Sequence, residues 1–215
     1  TCANGRLLRR MRCTASSPSS QVAVVSSGGG SHRRLLQGLS HDRESARFQA
    51  RVALRSCLAR ELACPEAALH ISNQRNEAPQ LWLHGERLSQ PFCSISHTPG
   101  LALLAWHDGG SVGVDIQAVN EGVSRHELRA VAQIFLAPNT AQALDGIALD
   151  ALFFKAFASA WAAQEARLKC AGVGLVEWSV KLEASLACLH CTPVALADGY
   201  AAAVAWHLRS DYADH

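Results

Sequence analysis

Three residues stand out for what they could do together: Asp115, Glu165 and Lys169. Asp115 lies in "SVGVDIQAV", residues 111–119, where Val112, Val114 and Ile116 alternate with Gly113, Asp115 and Gln117. A period of two predicts a strand with one buried face. Glu165 and Lys169 lie in "DALFFKAFASAWAAQEARLKC", residues 150–170, a helical run that is apolar around most of its circumference. Trp161, Glu165 and Lys169 follow one another at intervals of four, on one helix face. Two ionised carboxylates in apolar surroundings repel each other and need a cation between them. Mg²⁺ suits such a pair, because one or two carboxylates suffice when phosphate oxygens and water complete its octahedron. Lys169, one turn past Glu165, is placed to meet a phosphate, and Gly113 is expected to leave room for a ligand on the strand. The spacing also fits a surface Asp with a Glu165–Lys169 helix pair.

A third stretch, "FCSISHTPG" (residues 92–100), groups Ser94, Ser96, His97 and Thr98 beside a glycine. Hydroxyls, imidazole and backbone N–H groups in such a cluster can hold phosphates; an ordinary polar turn is the other reading.

The elements that must position these groups can be read around them. Residues 21–26 read as a first strand, broken by "SGGGS" at 27–31. Residues 42–63 read as a helix with an apolar stripe of Phe48, Val52, Leu54, Cys57 and Leu58, and arginines at 47, 51 and 55. Residues 72–91 read as loop with short strands, and residues 126–135 as a further helix. Glycines in "AGVGL", residues 171–175, end the long helix. Two segments look alike: "PGLALLAWHD" at 99–108 and "DGYAAAVAWHL" at 198–208. Their spacing suits two related α+β halves, not a short-period array.

Composition bounds the rest. Hydrophobic residues make up 49% and charged residues 18% of 215, which argues for a packed globular chain. No apolar run approaches the roughly 18 residues a bilayer requires. A net charge of +2 gives no reason to expect nucleic acid as a partner. Arg6, Arg9, Arg10, Arg12, Arg33 and Arg34 precede the first acidic residue, Asp42. Met11 is the only methionine, so residues 1–10 read as an upstream extension, or as an acid-free transit segment. Eight cysteines in a chain this apolar are expected to be reduced thiols in the cytoplasm. Cys188 and Cys191 form a CxxC without the second pair of ligands a zinc site needs.

In order and spacing, "FCSISHT", "VGVDIQ" and "FASAWAAQEARLKCAGVGL" resemble the motifs of the Sfp-type 4′-phosphopantetheinyl transferases. The resemblance runs from the Arg-rich helix to "GYAAAVAWH". It implies an α+β fold of two similar halves packed with pseudo-twofold symmetry. The expected division is a basic extension at 1–20, halves at 21–118 and 119–210, and a tail at 211–215. It also implies a reaction: transfer of the phosphopantetheine arm of coenzyme A to a serine of an acyl or peptidyl carrier protein, releasing adenosine 3′,5′-bisphosphate. Asp115 and Glu165 would hold Mg²⁺, with Gln117 where many members have a third acid. Glu165 would be the base, directly or through water. Lys169 would contact the phosphates, Ser96 and His97 the nucleotide, and Arg34, Arg47, Arg51 and Arg75 are 3′-phosphate candidates. Arginine suits that role because its planar fork meets phosphate oxygens in pairs. Arg125, Arg129, Ile134 and Phe135 are candidates for carrier docking by a monomer. Gln164 and "EAP" at 77–79 replace two family lysines, so a binding module without catalysis is the alternative.

Overall fold

The computed structural model describes residues 21–24, 31–74, 77–120 and 122–207. The basic extension, Met11, Arg75 and the tail lie outside the described residues.

The chain is α+β. A four-stranded antiparallel sheet has the order β1 (Gln21–Val24), β2 (Ser31–Gln37), β7 (Leu101–His107), β6 (Phe92–Thr98). A three-stranded sheet has the order β8 (Val112–Ala118), β10 (Tyr200–Trp206), β9 (His190–Pro193). A small third sheet joins β3 (Leu69–Ile71), β4 (Leu81–Leu83) and β5 (Glu86–Arg87). β8 pairs along its whole length with β10. The chain changes sheets in the connection between β7 and β8.

Alternation decides what each strand face covers. Leu35, Leu101, Leu103 and Ala105 of the first sheet share one core with Val112, Val114, Ile116, Ala202 and Val204 of the second. The opposite face of the first sheet, with Leu36, Ala102, Leu104 and Trp106, packs on α1 (Arg43–Glu61). The opposite face of the second, with Ala203 and Ala205, packs on Ala162, Ala166 and Cys170 of α4 (Asp150–Cys170). After β8, and before the other strands of its sheet, come α2 (Arg125–Phe135) and α3 (Pro138–Asp145), which pack against the first half of α4 through Phe153, Phe154 and Phe157. The short α5 (Val180–Leu186) is tied to α4 by Arg167 and Glu183 at 2.7 Å.

The helix ends follow their residues. Asp42 caps α1 by accepting from the Ser45 N–H, and Ser124 with Glu127 forms a reciprocal capping box on α2. Gly172, at φ 69°, closes α4: its N–H reaches the Lys169 carbonyl and that of Val173 reaches Leu168. The α1 stripe differs from the expected one. Ala46, Ala50, Leu54, Cys57 and Leu58 are buried, while Phe48 is 68% exposed. Ala46, Ala50, Leu54 and Leu58 of that helix share one core with Leu104 and Trp106.

The two look-alike segments become central strands, β7 and β10. Their glycine-to-tryptophan spacings, however, are six and seven residues. One residue of slip reverses every side chain. Trp106 therefore faces α1, whereas Trp206 faces the core between the sheets. Matching letters do not take matching positions.

Candidate active site

The site is assembled where β6 and β8 run side by side in the same direction. The Ser94 hydroxyl accepts from the Val114 N–H (3.1 Å), and the Ser96 hydroxyl accepts from the Ile116 N–H (3.3 Å). The Ser94 hydroxyl is thus engaged between the strands. Ser96 also donates to Asp115 Oδ1 at 2.7 Å.

Asp115 is 2% exposed, and three donors surround its carboxylate. Besides Ser96, Lys169 Nζ lies 2.6 Å from Oδ1, and the Gln117 amide nitrogen donates to Oδ2 at 2.6 Å. Lys169 Nζ is also 3.7 Å from Glu165 Oε2. The expected trio therefore does converge: one ammonium stands between two carboxylates. Burial, then the neighbouring charge of Asp115, raises the pKa of Glu165 above the usual carboxylate range, with Lys169 opposing.

Gly113 has a different purpose from the one expected. A Cβ there would lie 2.1 Å from the Ala166 carbonyl oxygen and 2.3 Å from the Cys170 backbone nitrogen. The glycine admits the backbone of α4, not a ligand. That close approach, with Ala203 and Ala205 beside it, brings Glu165 and Lys169 to Asp115.

A cleft of about 1150 Å³ opens above the trio. Arg43, Arg47 and Arg51 of α1 line one wall, with His97 beneath them. Arg47 and Arg51 are anchored by donating to the Asn73 and Ser72 carbonyls, at 2.8 and 3.0 Å. Adjacent strand residues point to opposite faces, so Ser96 turns to Asp115 while His97 turns to the arginines. Burial, then Arg43, Lys169, Arg51 and Arg47, lowers the pKa of His97. Four cations around a depressed histidine make this wall a place for an anion. Gly172 to Leu175 line the opposite side. Beyond Lys169 a second cavity of about 550 Å³, with Pro79, Leu81, Pro91 and Phe92 in its lining, adjoins the cleft.

Several expected residues are elsewhere. Arg34 faces α1 and lies 5.6 Å over the Trp106 ring, outside the cleft lining. Gln164 is 5% exposed and does not line the cleft. Trp161 stacks on Phe157 at 5.9 Å. Arg125 and Arg129 pair with Asp150 and Asp145, at 2.8 and 3.0 Å, bracing α2 against its neighbours. Ile134 remains 47% exposed. Arg43 was missed by sequence reasoning, although it begins the row of arginines at intervals of four.

The donor set fits a magnesium-type cation. Among the described residues no three His, Cys, Asp or Glu side chains gather into a self-sufficient metal site. Two carboxylates already share one cationic group, and a hard cation that keeps water and phosphate ligands asks for no more.

Residues 111–214 match the family model of the 4′-phosphopantetheinyl transferase superfamily. The match spans β8 to β10, with Asp115, Gln117, Glu165 and Lys169. No curated protein matches the chain.

Proposed function

We propose that this chain, which carries a 4′-phosphopantetheinyl transferase superfamily domain over residues 111–214, is a magnesium-dependent transferase. It moves the phosphopantetheine arm of coenzyme A to a serine of an acyl or peptidyl carrier protein. The observation that carries this reading is the convergence of Asp115, Glu165 and Lys169 at the floor of a cleft walled by Arg43, Arg47, Arg51 and His97.

The arginine wall and His97 would hold the 3′-phosphate of coenzyme A, since forked guanidinium groups match phosphate oxygens. The pyrophosphate would then lie over β8, with Lys169 donating to its oxygens. A magnesium ion held by Asp115 and Glu165 would neutralise charge on the pyrophosphate. The carrier serine oxygen forms a bond to the β-phosphorus, and the bridging P–O bond breaks. The serine proton goes to Glu165, directly or through water, and adenosine 3′,5′-bisphosphate leaves with the electron pair. Glu165 suits that role better than Asp115, because its side chain is 24% exposed at the cleft while that of Asp115 is buried. Lys169 and the arginine wall stabilise the charge on the leaving group. The adjoining cavity, with its partly apolar lining, suits the uncharged arm. The enzyme is read as a monomer, because its trio and cleft are built within one chain, and as cytoplasmic on the reading of its cysteines as reduced thiols.

The test is a transfer assay. Protein, coenzyme A and Mg²⁺ are incubated with a panel of apo carrier proteins, and intact mass is followed. One phosphopantetheine gained on a carrier, and lost on chelation, supports the reading. A thermal shift with coenzyme A but no gain on any carrier points to a binding module.

A further inference from the structure

We infer that Ser96 is a positioning residue for Asp115, and that its hydroxyl makes no contact with the nucleotide. The inference rests on the transferase reading above and revises the part Ser96 plays in it.

A serine hydroxyl offers one proton and two lone pairs. All three are used within the protein. The proton goes to Asp115 Oδ1 at 2.7 Å, and the oxygen accepts from the Ile116 N–H at 3.3 Å and from Lys169 Nζ at 3.3 Å. Ser96 is itself 6% exposed. A ligand group could reach that hydroxyl only by displacing one of these bonds. A donor to a buried carboxylate is among the stronger hydrogen bonds a protein makes, and it fixes the oxygen's direction.

The same hydroxyl also ties the carboxylate to the junction of the two sheets. β6 and β8 share no backbone ladder, and side-chain hydroxyls from β6 supply acceptors for alternate N–H groups of β8. Asp115 sits between those two N–H groups in sequence. The position of its carboxylate is therefore set by how β8 lies on β6, and Ser96 is the side chain that makes both contacts. Ser94 provides an internal control. It is equally buried, at 5%, and accepts from the Val114 N–H at the same junction, but among the described residues it has no bond to a carboxylate.

The experiment compares wild type with Ser94→Ala, Ser96→Ala, Ser96→Cys and Ser96→Thr in the transfer assay. Ser96→Ala should lower kcat at least tenfold, with the KM for coenzyme A within twofold of wild type. Ser96→Cys keeps the volume and weakens the donor, so it should behave alike even if the alanine variant folds poorly. Ser96→Thr restores the hydroxyl and most of kcat. Ser94→Ala should lower the unfolding midpoint about as much as Ser96→Ala, with both kinetic constants within twofold. A raised KM with kcat intact would make Ser96 a nucleotide contact and overturn the inference. So would equal kcat losses at 94 and 96.

A second readout needs no turnover. In unfolding cycles with Asp115→Asn, Ser96→Ala should be non-additive by about tenfold in the unfolding constant, and Ser94→Ala additive. An additive Ser96 cycle overturns the inference. If wild type modifies no carrier, the transferase reading fails, and this cycle alone decides the place of Ser96.

Discussion

Each of the two large sheets carries one long helix on its outer face, and the two layers are built differently. Under α1 the sheet offers Leu36, Leu104 and Trp106, and the helix answers with Ala46, Ala50, Leu54 and Leu58. Under α4 the sheet offers Gly113, Ala203 and Ala205, and the helix answers with Ala162, Ala166 and Cys170. Bulk in the first layer comes from both surfaces, so large side chains hold α1 off its sheet, and its arginines line the cleft. In the second layer both surfaces are small, and a strand position without even a methyl group admits the helix backbone. That contact is what lets side chains of α4 touch a side chain of β8. In the proposed reaction the α1 layer would serve binding at a distance, and the α4 layer chemistry at contact.

The comparison breaks most visibly at Gly113. Gly113→Ala puts a carbon against two backbone atoms that have no flexible end to move. We expect a stability loss of about 1–3 kcal/mol, with turnover slowed about 100-fold or more in the molecules that remain folded. Denaturant melts beside transfer rates on the folded fraction check this. An alanine variant with wild-type kcat would mean the close approach is unrelated to the chemistry.

The opposite layer should respond differently. Leu104→Ala removes a fully buried side chain beneath α1 and should cost about 2–5 kcal/mol. Its kinetic effect should be a several-fold rise in the KM for coenzyme A, with kcat on the folded fraction within about threefold. A kcat loss as large as that of Gly113→Ala would erase the distinction between the layers.

The smallest effect concerns Glu165. Burial and the Asp115 charge raise its folded pKa, so the folded protein keeps that proton to higher pH than the unfolded chain does. The stabilising contribution is complete below the unfolded carboxylate range, near about pH 4.3, and is lost as pH rises through the folded value. In metal-free buffer the unfolding midpoint of wild type should therefore fall relative to Glu165→Gln as pH rises from about 4.5 towards neutral. Parallel pH profiles for the two proteins would show that Glu165 has no such burden.

Much of this was legible in the sequence, for identifiable reasons. Asp115 announced itself because a two-residue period around a charge can only mean a carboxylate on a strand face. Glu165 and Lys169 did so because helical spacing fixes which residues share a side. What covers a face is not written in its period. Gly113 read as room for a ligand, and the alanines of β10, which match it across the ladder at Ala205 and Asp115 at Ala203, were the available sign of a close helix. Arg34 was assigned by its place in the chain, yet strand alternation turns it under α1. Ser96 and His97 were assigned together by their motif, and strand alternation turns them to different neighbours. β2, α3 and α5 were not anticipated: each is eight residues or shorter and is held by partners remote in sequence.

The most direct measurement is the transfer rate of Asp115→Ala beside wild type, with coenzyme A, Mg²⁺ and a carrier that wild type modifies, and with both unfolding midpoints recorded. The account predicts a folded variant that adds no phosphopantetheine in the time wild type completes the reaction. A folded Asp115→Ala protein that modifies the carrier at the wild-type rate would contradict it.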